Sequence, residues 1–141
     1  MSAPKWLSPA MVLAIHDEAI YYFGGSPGVR DLGLLESALD RPRNRRAYGP
    51  GTDLFVFAAS LCIGITKNHP FVDGNKRTAL LATRAFLFLN DQRLEPPEAD
   101  EVVTMVGLAA GELNEAQMAD WLRSHSTPIR RKTRSTRPPR R

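Results

Sequence analysis

The sequence predicts an all-α protein, a compact bundle of about six helices. Three observations favour this class: apolar residues recur at helical spacing, capping residues and prolines mark successive helix starts, and no convincing strand pattern occurs. The 141 residues suit one domain with a single hydrophobic core. Hydrophobic residues make up 43%, as in ordinary globular proteins, so the composition argues against global disorder.

The first two helices are predicted from their caps. Ser8-Pro9 is a typical helix start, and it predicts a helix over Ala10–Phe23 that ends at Gly24-Gly25. The inward face of this helix is either Met11, Ile15 and Ala19 or Val12, Ala19 and Phe23. Asp31 predicts the cap of a second helix that runs to about Asp40 and stops at Pro42. Its inward face is predicted to be Leu32, Leu35 and Leu39.

The segment Pro42–Thr52 holds two prolines, two glycines and three arginines, and it predicts an irregular loop or short hairpin. Asp53 then caps a third helix, Leu54 to about Lys67, and a fourth follows over Asn75–Asn90. Both are apolar on almost every side, which predicts that they lie in the centre of the bundle.

The last two helices are also predicted from their first residues. Pro96-Pro97-Glu98 opens a fifth helix that reaches about Leu108. Asn114 caps a sixth helix, whose inward residues are predicted to be Met118, Trp121 and Leu122.

Charge divides the chain into a body and a tail. Residues 127–141 hold seven of the 19 Lys and Arg residues and no acid, so residues 1–126 have 12 basic against 15 acidic residues. We expect a folded domain over residues 1–126 and a disordered basic tail over residues 127–141. Such a tail is suited to weak, non-specific binding of a polyanion such as nucleic acid, or it is only a solvated extension.

The composition also predicts a cytoplasmic protein with no membrane contact. No apolar run approaches the roughly 18–20 residues that a membrane span requires. The N-terminal apolar stretch is short and meets His16, Asp17 and Glu18, unlike a signal peptide. The one cysteine, Cys62, lies in an apolar run and is expected to be a buried packing residue.

The segment 69–77, with the sequence HPFVDGNKR, concentrates reactive side chains between the two apolar helices. It leads directly into a predicted helix N-terminus, where free N–H groups and the helix dipole attract phosphate. His69 is a candidate general base and Asp73 a candidate Mg²⁺ ligand. The predicted phosphate contacts are Gly74, Asn75, Lys76 and Arg77. Simpler interpretations remain open: a surface histidine, an Asp73 helix cap, and a solvated pair of cations.

The same nine residues match the signature of the Fic/Doc family, HxFx(D/E)(G/A)N(G/K)R, at every fixed position. Flanking segments resemble the Doc (death-on-curing) branch, so the similarity spans about residues 11–124. The resemblance implies a compact Fic fold and transfer from a nucleoside triphosphate to a protein hydroxyl. It implies that His69 deprotonates the hydroxyl, that Asp73 holds Mg²⁺, and that Arg77 neutralises charge in the transition state. Segment Pro42–Thr52 would be the flap that aligns the target.

The lysine at position 76 distinguishes two branches of that family. Most adenylyl-transferring members have glycine there, whereas Doc proteins have lysine, a reversed nucleotide and transfer of the γ-phosphate. The resemblance therefore implies a toxin that uses ATP and Mg²⁺, blocks translation by modifying elongation factor Tu, and is silenced by a small antitoxin. The alternatives are an adenylyl transferase and a catalytically silent helical binding module. Self-inhibited Fic proteins carry a Ser/Thr-x-x-x-Glu element, and no Ser or Thr stands four residues before any glutamate here.

Overall fold

The structure, a computed structural model, describes residues 3–49 and 52–130. These residues form six α-helices and one pair of short β-strands. The helices are α1 (Pro9–Phe23), α2 (Leu32–Tyr48), α3 (Leu54–Asn68), α4 (Asn75–Leu89), α5 (Glu98–Ala109) and α6 (Glu115–Ser124). The strands are β1 (Gln92–Leu94) and β2 (Ser126–Pro128). The all-α class predicted from the sequence is confirmed.

Helix α3 is the centre of the bundle. Every residue from Phe57 to Thr66 is buried, and the helix packs against α2, α4 and α6. Gly64 allows the contact with α2, because a Cβ there would lie 3.2 Å from the Cα of Ala38. Cys62 is fully buried, as expected, and burial raises the pKa of its thiol to about 11. The thiol is therefore a packing group.

Helix α1 begins as predicted, with the Ser8 hydroxyl accepting from the Met11 N–H. Its buried face is Val12, His16 and Ala19, so one of the two predicted stripes is right in part. The prediction was wrong for Phe23, whose side chain is 62% exposed. The polar His16 instead occupies the inner face, which apolar periodicity alone does not detect.

Helix α2 contradicts two predictions, because it continues through Pro42 to Tyr48 and no flap or hairpin forms over residues 42–48. Proline inside a helix removes one hydrogen bond and costs about 3 kcal/mol. Here the Pro42 ring is buried, and the later turns are held by an Arg45–Glu115 ion pair of 2.7 Å. Burial of the ring and the packing of α2 on α3 favour the continuous helix, and the partly exposed ion pair adds only a little. Residues 50 and 51 of the predicted flap lie outside the described residues.

A two-stranded antiparallel ribbon was not predicted. Strand β1 pairs with β2 in the register Gln92–Pro128, Arg93–Thr127 and Leu94–Ser126. Each strand is three residues long, too short for an alternating pattern to be visible in the sequence. Residues 127 and 128, which the sequence analysis assigned to the basic tail, pair with β1. The predicted tail from residue 131 onward lies outside the described residues.

The remaining helices follow the prediction closely. Asn114 caps α6 by accepting from the Gln117 N–H, and Met118 and Leu122 are buried. Helix α5 begins at Glu98, directly after the two prolines that predicted its start. Among the described residues, no helix is long and apolar enough to cross a membrane.

Candidate active site

The loop between α3 and α4 carries the predicted catalytic residues. His69 ends α3 in the left-handed region, with φ 47° and ψ 57°, and its N–H donates to the Ile65 carbonyl at 3.2 Å. This conformation is uncommon for a residue with a side chain, although histidine adopts it more readily than most. The turn ends the helix, and the His69 side chain lines the adjoining cavity.

Arg30, from the segment between α1 and α2, holds the end of α3. Its Nε donates to the His69 carbonyl and its Nη2 to the Asn68 carbonyl, both at 2.7 Å. A guanidinium beside the last carbonyls of a helix is favoured by the helix dipole. The backbone N–H of Arg30 also donates to the Pro70 carbonyl at 2.7 Å. Arg30 thus fixes the backbone that carries His69.

Asn75 closes the loop with its side chain. The Oδ1 atom accepts from the Phe71 N–H, and the Nδ2 group donates to the Phe71 carbonyl, each at 3.0 Å. Nδ2 also lies 3.3 Å from Nδ1 of His69, a long contact that orients the ring weakly. The Asn75 carboxamide is therefore engaged within the loop, and only its backbone N–H is available for the predicted phosphate contact.

Asp73 is exposed and ionised. Its Oδ2 accepts from the Ser26 N–H at 3.0 Å and its Oδ1 from the Gly74 N–H at 2.8 Å. These two hydrogen bonds hold the pKa of the carboxyl below its ordinary value of 3.8, and the one from Ser26 has the larger effect. The carboxylate makes no side-chain cap on α4, so the capping interpretation of Asp73 is wrong.

The carboxylate of Asp73 is suited to a metal ion that is bound together with a nucleotide. No group of three or more His, Cys, Asp or Glu side chains suited to a metal occurs in the described part of the chain. Mg²⁺ is commonly held by one or two carboxylates together with substrate phosphates and water. The single carboxylate of Asp73 meets that requirement, because each of its oxygens has a further lone pair.

The start of α4 offers a binding place for phosphate. The residue before α4 is Gly74, which adopts φ 74° and ψ 23°, and no side chain caps the helix there. The first N–H groups of α4 have no carbonyl one turn earlier within the helix to which they could donate. Lys76 and Arg77 are exposed beside them. The Arg77 guanidinium lies 4.0 Å from the centre of the Phe23 ring. Two cations at a helix N-terminus oppose the dipole, so an anion bound there would be stabilised by both.

One cavity of about 860 Å³ collects all of the predicted site residues, His69, Asp73, Gly74, Asn75, Lys76 and Arg77. Its other walls come from the end of α1 and from α5, whose Glu98, Glu101, Val102 and Val106 line it. Glu101 forms an ion pair with Arg84 of α4. The arrangement places a histidine, an ionised carboxylate, two cations and the first amides of α4 around one space large enough for a nucleotide.

Sequence reasoning did not identify Ile20, Phe23 and Arg30, or the wall from α5. Gly25 could have been identified from the sequence, because paired glycines often mark a close approach of the backbone to another group. In the structure a Cβ at Gly25 would lie 2.9 Å from Oδ2 of Asp73. No local pattern could place Val102 and Val106 at the cavity, since they are far from the loop in sequence.

Comparisons with known proteins identify the family of this chain. The family model described as the Fic/DOC family matches residues 6–87. The chain is 39% identical over 120 residues to "Protein kinase doc" of Escherichia phage P1, covering 84% of this chain and 94% of the phage protein. The chain belongs to the Fic/Doc family. It is also 45% identical over 74 residues to "Toxin Doc" of Mycolicibacterium smegmatis, covering 51% of this chain and 56% of that protein.

The Fic/Doc match covers only part of the cavity. Residues 6–87 include α1, α2, α3, the 69–77 loop and most of α4. The α5 wall lies beyond the matched residues. The 120-residue similarity to the phage protein extends beyond the residues that the family model matches and includes α5.

Proposed function

We propose that this chain is a Doc-type toxin, a protein kinase that transfers the γ-phosphate of ATP to a Ser or Thr hydroxyl of a protein. The observation that carries the proposal is the meeting of His69, Asp73 and the start of α4 at one cavity. The names of the two relatives, a protein kinase and a toxin, support the same activity.

The proposed step is an in-line displacement at phosphorus. His69 accepts the proton of the target hydroxyl, and the hydroxyl oxygen forms a bond to the γ-phosphorus. The bond between the γ-phosphorus and its bridging oxygen breaks, and ADP leaves with the electron pair. Lys76, Arg77 and the N–H groups at the start of α4 stabilise the negative charge that develops. Mg²⁺ held by Asp73 would add positive charge at the phosphates.

Lys76 favours γ-phosphate transfer over adenylyl transfer. In an adenylyl transferase the α-phosphate reacts, so the β- and γ-phosphates must extend into the anion site at the start of α4. Glycine would leave that site open, whereas the exposed Lys76 side chain is long enough to occupy it and to pair with a terminal phosphate. With the nucleotide reversed, the γ-phosphate faces His69 and the transferred group is phosphate.

The test uses ATP labelled at either end of its phosphate chain. The protein is incubated with Mg²⁺ and translation elongation factor Tu, the target that the resemblance to the Doc branch suggests, and with a cytoplasmic lysate as a wider source of targets. We expect label from the γ position on a protein band and none from the α position. Label from the α position would instead establish the adenylyl transferase, and label from neither would contradict both enzymes and favour the silent binding module.

Control is proposed to come from a separate antitoxin in the cytoplasm. Among the described residues no carboxylate forms an ion pair with Arg77, in agreement with the lack of a Ser/Thr-x-x-x-Glu element. Exposed apolar side chains beside the cavity, Phe23, Val102 and Val106, are suited to an apolar partner segment. Expression of the chain alone should therefore stop bacterial growth, and harmless high-level expression would contradict the proposal.

A further inference from the structure

His16 is a buried polar residue that has no role in the transfer step described above. It lies on α1, is 1% exposed, and stacks flat on Phe71 with ring centres 3.8 Å apart and planes 5° from parallel. Phe71 itself is 1% exposed and belongs to the 69–77 loop. A histidine in this position costs free energy unless its ring nitrogens find partners, so its contacts indicate why it is tolerated.

The partner of His16 is the backbone of Asp73. Its Nε2 lies 2.8 Å from the Asp73 carbonyl oxygen. A carbonyl oxygen only accepts, so Nε2 must carry a proton and donate. The contact joins α1 to the loop across 57 positions of sequence.

The Asp73–Gly74 peptide group is held at both of its ends. The Asp73 carbonyl accepts from His16, and the Gly74 N–H of the same planar unit donates to Oδ1 of Asp73 at 2.8 Å. Rotation of this unit would break both bonds and turn the Asp73 carboxylate.

We propose that His16 is a positioning residue for the transfer reaction: its Nε2–H fixes the Asp73–Gly74 peptide and thereby aims the Asp73 carboxylate and the first amides of α4 into the cavity. The consequence for activity rests on the proposed function, whereas the orientation of the loop does not. A residue that only filled space at this position would be replaceable by any ring of similar size.

Three variants separate positioning from packing. His16→Phe keeps a ring against Phe71 but removes the donor. His16→Gln keeps a nitrogen donor at the same number of bonds from Cβ as Nε2. Val12→Ala loosens the same helix at a fully buried site and leaves the residues of the 69–77 loop and the His16 donor unchanged. The readouts are the thermal midpoint, the turnover of γ-phosphate transfer at saturating ATP and Mg²⁺, and amide hydrogen exchange of the peptide that covers residues 69–77.

We expect His16→Phe to lower turnover by about tenfold to hundredfold and to speed exchange at residues 69–77, because small misplacements of catalytic groups have effects of this size. His16→Gln should restore turnover to within about threefold of wild type, and Val12→Ala should lower the thermal midpoint with turnover little changed. Equal turnover of His16→Phe and wild type would overturn the proposal. So would equal losses in the Phe and Gln variants, or in the Phe and Val12→Ala variants.

The unmutated protein provides a second test, which stands even if His16→Phe does not fold. Nitrogen NMR of the imidazole should show that Nε2 is protonated and that its proton exchanges slowly. An unprotonated Nε2 could not donate to Asp73 and would overturn the proposal. If the wild-type chain transfers no label, the proposed function fails, while the exchange and NMR measurements still decide the role of His16 in the loop.

Discussion

Two groups of residues that build the candidate site differ in how they are used. The loop floor (His16, Phe71 and Asn75) is buried, and its polar groups bind backbone atoms of the loop. The cation rim (Lys76 and Arg77) is exposed, and no described carboxylate pairs with either cation. The loop floor therefore builds the site, and the cation rim is available to a ligand. Substitutions in the loop floor should therefore reduce both stability and activity. Substitutions in the cation rim should reduce activity alone.

His69 belongs to neither the loop floor nor the cation rim, and its replacement should have the largest effect. His69→Ala should lower transfer by about 10²–10⁴-fold, the usual contribution of a general base. The fold should persist because the side chain is exposed. Activity of the purified variant is measured with labelled ATP, and its fold is checked by circular dichroism.

Two controls sharpen that test. His69→Asn should lose transfer equally while it retains the left-handed backbone more easily than alanine does. His125→Ala removes a histidine outside the cavity, one that contacts the Trp121 carbonyl of α6, and should leave transfer unchanged. Wild-type turnover by a folded His69→Ala protein would exclude His69 as the base.

Asn75→Ala and Lys76→Ala compare the loop floor and the cation rim directly. Asn75→Ala leaves the buried N–H and carbonyl of Phe71 without partners and should destabilise the protein by about 2–4 kcal/mol, with loss of transfer. Lys76→Ala should change stability by less than about 0.5 kcal/mol and lower transfer by about tenfold to hundredfold. Urea unfolding and the labelled-ATP assay measure the two quantities.

Lys67→Ala is the matched control for the cation rim, since Lys67 is exposed near the loop but does not line the cavity. It should leave transfer unchanged. A Lys76→Ala protein that is strongly destabilised, or an Asn75→Ala protein with wild-type stability, would show that the division between loop floor and cation rim is wrong.

The smallest effect is the pH dependence that Asp73 gives to stability. Hydrogen bonds from the Ser26 and Gly74 N–H groups lower the pKa of its carboxyl in the folded state. The stability they add is present in full above the unfolded-state pKa near 3.8 and is lost as pH falls through the lower folded-state pKa. Asp73→Asn should therefore be less stable than wild type at pH 7, with the difference shrinking well below pH 3.8. A constant difference across urea titrations from pH 7 downward would contradict this assignment.

The parts of the fold that depend on local signals were predictable. Ser8, Asp31, Asp53 and Asn114 all cap helices as the sequence predicts, because a capping side chain acts within three residues of itself. The six predicted site residues come together at one cavity for a similar reason. They lie within nine consecutive residues, at the junction of two helices whose apolar character is unmistakable.

The parts that depend on distant contacts were not predictable. Pro42 is a helix breaker by local rules, and the continuous helix depends on tertiary contacts, above all the packing of α2 on α3. His16 and Arg30 reach the loop from 57 and 39 positions away, and neither has a pattern that marks it. The α5 wall depends on how the helix packs on the bundle, which the sequence of α5 alone does not encode.

Both ends of the described chain are tied to the same place, the end of α4. Lys5 exchanges two hydrogen bonds with the Asn90 side chain, and the Ile129 N–H donates to the Asp91 carbonyl at 2.8 Å. The 69–77 loop is at the opposite end of this 15-residue helix, about 22 Å away. A tag, a surface linker or a fused protein attached at either end should therefore leave the cavity uncovered. A linker that joins the two ends into a circular chain should likewise be tolerated without loss of access for a protein target.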